Sequence, residues 1–406
     1  MDRRAFLRAA SAAGLGALTG GKALAEGESS EKQTKTPEKK PPLVPLRKLG
    51  KTGVEVPCLC MGGNLNFLHN QIQLRKAVEW DVNFWDTAYV YGKGNAEIGM
   101  GAFLKKNPDA RKKLFLVTKA SGAKNVDGIE ERLHTSLKRL NTTYIDLYCG
   151  IHGLSNPAHL TDDVKKWAAE AKKRGLIKFF GFSTHSNVEK CLLAAAKLGW
   201  IDAVMFPYNY RLIDKKELNE AIETCHKAGV GLIAMKTQAK ASAKEENTPE
   251  QAKLIEHFSK RGFEEGQAKV KIVLEDPRIA SACLGIGTVS LLKHNVEAVT
   301  DKKELITADR RILRQYAAET CSGYCAGCEE ICAAAVPQAP CIRDVMRYLM
   351  YHDSYGQKHL ARHYFAKIPA KLRKRLLTID YTPAEALCPQ RIPIAKMMVQ
   401  AVKKLT

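Results

Sequence analysis

The chain of 406 residues is long enough for two or three folded units at about 150 residues each. With 45% hydrophobic and 26% charged residues, it is neither a disordered nor a fibrous chain and can fill a sizeable core. Lys and Arg outnumber Asp and Glu by 64 to 43, a net charge of +21, but the basic residues are spread along predicted helix faces (Lys165, Lys166, Lys172, Lys173, Arg174) without a nucleic-acid-binding motif, so no nucleic-acid partner is expected.

The first 25 residues carry an address. Arg3 and Arg4 are followed by Phe6 and Leu7, by a weakly apolar Ala/Gly/Leu run and by the small residues of Ala23-Leu24-Ala25, a pattern that looks like a twin-arginine export signal and implies a periplasmic or other extracytoplasmic location. The run from Ala9 to Thr19 is too short to span a bilayer, so no transmembrane anchor is expected. Residues 26–44, mostly Glu, Lys, Ser, Thr and Pro without apolar periodicity, predict a disordered linker.

From residue 45 to residue 305 short apolar runs alternate with amphipathic segments. Strands are predicted at Val56 to Met61, Val82 to Asp86, Leu114 to Lys119, Ile145 to His152, Ile177 to Ser183, Ala203 to Pro207, Gly229 to Lys236 and Ala280 to Gly285. Helical patterns such as Gly128 to Leu140, Asp162 to Gly175, Val188 to Leu198 and Asp214 to Ala228 lie between them. Eight such units predict an α/β chain folded as an eight-stranded parallel (β/α)8 barrel. Residues at the carboxyl ends of its strands would converge on one mouth.

Four of those strand ends carry residues that handle protons: Asp86, Tyr91 five residues later, Lys119 and His152. A phenol can protonate a carbonyl oxygen as hydride arrives if a nearby ammonium lowers its pKa; a carboxylate would hold that ammonium, and a histidine would orient the substrate oxygen. In type, order and spacing the four resemble the tetrad of the aldo-keto reductases, and the segment Asp86 to Gly101 resembles that family's DTAxxYGxGxAExxxG pattern. The entry LRKLGKTGVEVP is similar to the family's opening as well. The resemblance implies a TIM barrel, an NADP or NAD cofactor, and a small-molecule carbonyl or alcohol substrate, with Tyr91 as proton donor. Tyr89, two residues before Tyr91, is expected to line the wall.

The same resemblance assigns the cofactor pocket. Ser183 and Thr184, in GFSTHS, would hold the nicotinamide carboxamide, Tyr208 would stack on the ring, and Lys236 and the helix start at Gly287 and Thr288 would meet phosphate. Met205 stands where the family usually has Gln, and the phosphate turn is short and lacks a clear basic residue. These departures favour the alternative of a catalytically idle barrel serving as a binding or scaffold protein.

Residues 306–406 change to helical patterns and cysteine. Cys58, Cys60, Cys149, Cys191, Cys225 and Cys283 read as small core residues, and disulfides are the plain alternative for an exported chain. In CSGYCAGCEEIC the spacing C-x3-C-x2-C-x3-C approaches that of bacterial ferredoxins, although zinc also takes four thiolates. Cys388-Pro389 resembles the close of a second ferredoxin run. The tail as a whole is similar to the helical, ferredoxin-like iron-sulfur extension of some aldo-keto reductases. That resemblance implies one [4Fe-4S] cluster held by Cys321, Cys325, Cys328 and Cys388, with a local site using Cys332 as the rival, and a redox partner to exchange electrons with the cluster.

Overall fold

The computed structural model describes residues 43–239, 249–320, 325, 329–353, 358–388 and 390–406. The export signal, the linker up to residue 42, Cys321 and Cys328 lie outside the described residues.

Leu46–Lys48 (β1) and Glu55–Pro57 (β2) form an antiparallel hairpin, with Arg47 opposite Val56. Arg47 donates to the carbonyls of Leu274, Asp276 and Ile279, and Leu49 and Val56 enter the inner apolar layer. The hairpin thus plugs the amino-terminal end of a closed eight-stranded parallel barrel. Its strands are Leu59–Gly62 (β3), Phe84–Asp86 (β4), Phe115–Lys119 (β5), Ile145–Leu154 (β6), Ile177–Thr184 (β7), Ala203–Pro207 (β8), Gly231–Met235 (β9) and Ser281–Gly285 (β10). The first predicted strand is corrected: Val56 to Met61 is two strands, divided at Cys58, because the chain leaves the hairpin there to enter the barrel.

Each strand alternates between two cores. Leu147, Ala203, Met205 and Ile233 fill the barrel, while Tyr148, Phe180, Phe182, Val204 and Phe206 pack outward against the helices. Inward and outward faces both being apolar explains why the strands read as continuous hydrophobic runs.

The helix Thr307–Glu319 belongs to the barrel. Its buried Asp309 accepts from His257 Nε2 at 2.7 Å, on the helix Pro249–Lys260, and from Arg261, just after that helix, at 3.2 Å, and Leu313 shares an apolar cluster with Leu254 and Phe258. The apolar cluster of the barrel side thus continues past residue 305 as far as Leu313. Beyond it, helices Glu329–Ala335, Ile342–Asp353, Lys358–Ala366, Ala370–Arg375, Thr382–Leu387 and Ile394–Leu405 enclose a core of their own around Met346, Leu349, Phe365 and Met398. No helix among the described residues is long and apolar enough to cross a membrane.

Candidate active site

Asp86 and Lys119 end β4 and β5, neighbouring parallel strands, and both side chains are buried. Lys119 Nζ donates to Asp86 Oδ1 and, at 2.8 Å, to the Thr87 carbonyl. Burial pushes the Asp86 carboxyl upward, and the ammonium pulls it back. Desolvation also opposes the charge on Lys119, but the Asp86 carboxylate outweighs it and holds the lysine above its ordinary range. We take the pair as ionised, because each charge has its partner in contact.

Tyr91 opens the turn Tyr91–Gly94, in which Gly92, Lys93 and Gly94 all have positive φ (56°, 57° and 93°). Glycine at two of these three left-handed positions lets the chain reverse over the mouth. Tyr91 then lies beside the other groups: Lys119 Nζ is 5.0 Å from its ring centroid, and the His152 ring meets it edge-on at 5.9 Å.

His152 reaches this place through an irregularity in β6. Leu147 and Cys149 point inward and Tyr148 outward, so strict alternation would turn His152 out. A register shift between Cys149 and Ile151 reverses the order, sending Ile151 outward and His152 toward the mouth. Burial, then the charges of Lys119 and Arg347, push its imidazole down to about 3, so the ring is neutral. Ser121 Oγ lies 2.6 Å from Nδ1; a hydroxyl donating there leaves the proton on Nε2, free to donate toward a substrate oxygen.

The structure thus brings Asp86, Tyr91, Lys119 and His152 together, but it divides the expected cofactor residues. Ser183 is opposite His152 in register and its Oγ accepts from Gly153 N at 3.1 Å, at the mouth. Thr184 faces the other way, donating to Ser186 O at 2.8 Å beside Cys191 of the helix Val188–Leu198. The Tyr208 ring is buried in the layer between barrel and helices, and its hydroxyl donates to Asp276 at 2.9 Å. Tyr89 lies between the guanidiniums of Arg132 and Arg139, each 4.5 Å from its ring. Met205 is fully buried in the inner layer, opposite Ser183. Lys236 follows β9 with φ 59°. Gly287 and the N-cap Thr288 are exposed at the start of the helix Val289–Thr300, beyond the end of β10, and Thr288 Oγ1 accepts from Leu291 N at 3.1 Å.

Two residues at the mouth escaped the sequence reading: Ser121 and His185. His185 is half-buried, and its imidazole is held well below its ordinary range by burial and then by Arg347, Lys236 and His152. Arg347 belongs to the tail helix Ile342–Asp353, so a charge from the C-terminal unit is felt at the barrel mouth.

A model of the aldo/keto reductase family matches residues 62–301. An uncharacterized oxidoreductase of Bacillus subtilis, YrpG, is 25% identical over 310 residues, covering 66% of this chain and 93% of that protein. L-galactose dehydrogenase of Arabidopsis thaliana is 23% identical over 288 residues, 64% of this chain and 90% of its own. Among solved structures, the holo form of an aldo-keto reductase from Bacillus halodurans superposes with a TM-score of 0.55 at 21% identity, covering 67% of this chain and 95% of that one, a likeness of fold. With the family pattern matched over more than half of its length, this chain belongs to the aldo/keto reductase family and is an NAD(P)-dependent oxidoreductase.

Proposed function

We propose that this oxidoreductase interconverts a carbonyl compound and its alcohol with Tyr91 as the proton donor. The observation that carries the reading is the nearness of the Tyr91 ring to both the Lys119 ammonium and the neutral His152. A positive charge beside a phenol favours its ionised form, so the hydroxyl can release a proton to a carbonyl oxygen. Asp86 keeps Lys119 charged and fixed. His152, oriented by Ser121, would donate Nε2–H to the same substrate oxygen and hold it in line with the phenol.

Ser183 at the mouth and the open helix start at Gly287 and Thr288, with Lys236, fit a dinucleotide's amide and phosphate groups; Thr184 and Tyr208 do not take part. A bound nicotinamide supplies or accepts the hydride. The test is Tyr91→Phe, which keeps the ring and removes the proton: carbonyl reduction should fall by at least about a hundredfold. Unchanged turnover against a substrate that the wild type reduces rejects the assignment.

The tail is read as the holder of one [4Fe-4S] cluster, for structure or for electron exchange with a redox partner. Its support is local. Cys388 is buried at the end of the helix Thr382–Leu387, and its sulfur accepts from Ile392 N at 3.4 Å, as a thiolate ligand would. Cys325, Cys332 and Cys388 share one apolar cluster, and no group of metal-ligating residues is assembled among the described residues alone. We assign Cys321, Cys325, Cys328 and Cys388 as ligands. The paired arginines Arg3 and Arg4 support export of the protein by the twin-arginine route.

A further inference from the structure

The ion pair at the base of the mouth has thiols beside it on two sides. Cys149 stands opposite Lys119 in register, and Cys60 and Cys283 stand opposite one another on β3 and β10. Cys60 is buried and Cys283 half-buried, both against the inner layer of the barrel. Neighbouring strands are about 4.8 Å apart, within the range of about 4.4 to 6.8 Å that a disulfide spans between Cα atoms. Cys149, on β6, is three strands from Cys60 and cannot compete for it. The Cys60 thiol donates to the Met61 carbonyl at 4.0 Å, and the Cys283 thiol donates to Asp86 Oδ2 at 3.9 Å. Lys119 holds Oδ1, so the two carboxylate oxygens are divided between the ammonium and the thiol.

We propose that Cys60 and Cys283 are a redox-active pair that closes to a disulfide beside Asp86 and thereby slows the enzyme. The effect on rate rests on the reading of Asp86 and Lys119 as catalytic; the bond itself does not. The oxidant is a small-molecule disulfide, RSSR. Cys283, which has access to solvent, attacks one of its sulfurs as the thiolate, forming a Cys283–S–S–R bond and releasing RS⁻, which takes up the proton lost by Cys283. Cys60 then attacks the Cys283 sulfur; its proton goes to the second RS⁻ as that group leaves. Two cysteine thiols are oxidised to one disulfide and RSSR is reduced to two RSH. Burial holds the Cys60 thiol well above its ordinary range, which makes Cys283 the first to react. The product has no S–H, so Asp86 Oδ2 loses its donor inside the barrel.

The full-length protein, purified without oxygen, would be treated with 2-hydroxyethyl disulfide, assayed for carbonyl reduction, alkylated, digested and mapped by mass. A peptide pair joined through Cys60 and Cys283 is expected. The rate should fall about tenfold, the scale of a lost hydrogen bond to a charged group, and return with dithiothreitol. Cys283→Ser keeps a hydroxyl to donate to Asp86 Oδ2 but has no thiol to attack the disulfide, and should keep its rate through the same treatment. Absence of the joined peptide overturns the pairing whatever the activity does, and its presence supports the pairing even if Tyr91→Phe has rejected the tetrad. A joined peptide with an undiminished rate, or an equal loss in Cys283→Ser, overturns the control of activity.

Discussion

Lys119 is the residue on which the chemistry turns, because it donates to the Asp86 carboxylate and lies 5.0 Å from the centre of the Tyr91 ring. Lys119→Met should lower carbonyl reduction by at least about a hundredfold, since the phenol then loses the charge that favours its ionisation; steady-state rates across pH check this, and an unchanged profile rejects it. Met205 sits opposite Ser183, and its thioether cannot make the hydrogen bonds of an amide. Met205→Gln should tighten dinucleotide binding about fivefold to tenfold, measured by titration, through one added hydrogen bond to a polar group. His152 supplies a pH effect. Its ordinary value is 6.5 and its folded value about 3, so the unfolded chain binds a proton that the folded one refuses. The corresponding stability is complete above 6.5 and is lost as pH falls through that window. Unfolding titrations should show His152→Gln losing less stability than the wild type between about pH 7 and pH 4.

Among the elements, the helix Asn95–Lys106 explains much of the segment between Asp86 and Gly101. Glu97 is fully buried; Thr118 Oγ1 donates to it at 2.6 Å and Arg139 at 3.2 Å, and Arg139 also donates to the Tyr89 carbonyl at 2.9 Å. This carboxylate therefore ties the turn carrying Tyr91 to β5 and to the helix Val126–Leu140. At Gly101 a β-carbon would lie 2.0 Å from the Arg139 carbonyl oxygen, so only glycine permits the helices to approach this closely. Glu97→Ala strands the Arg139 charge and should destabilise the protein by about 3 kcal/mol, read as a lower urea midpoint. Activity should fall with it, because the turn holding Tyr91 loses its tether.

Across the whole molecule, the C-terminal unit is more than an appendage. The charge of Arg347, on the tail helix Ile342–Asp353, bears on His152 and His185 at the barrel mouth. The fourth ligand of the proposed cluster is decided by iron per chain. Cys388→Ser should lose iron and Cys332→Ser should retain it; the reverse result assigns the local site. The two sulfurs lie on neighbouring pieces of the tail, since the helix Glu329–Ala335 packs against Thr382–Leu387.

The strand order, the eight-fold alternation and the four proton-handling residues were legible in the sequence, because strand ends in a parallel barrel converge whatever their separation along the chain. Facing was legible as well but was not counted: Thr184 follows Phe180 and Phe182 to the outer face, Tyr208 follows Val204 and Phe206, and His185 follows Ser183 toward the mouth. What only the tertiary structure decided depends on register and on contacts between distant segments. A register shift in β6 turns His152 inward, Cys60 meets Cys283 where β10 closes on β3, and the helix Thr307–Glu319 joins the barrel through Asp309. None of these has a local signature, since each is fixed by where a partner strand or helix comes to rest.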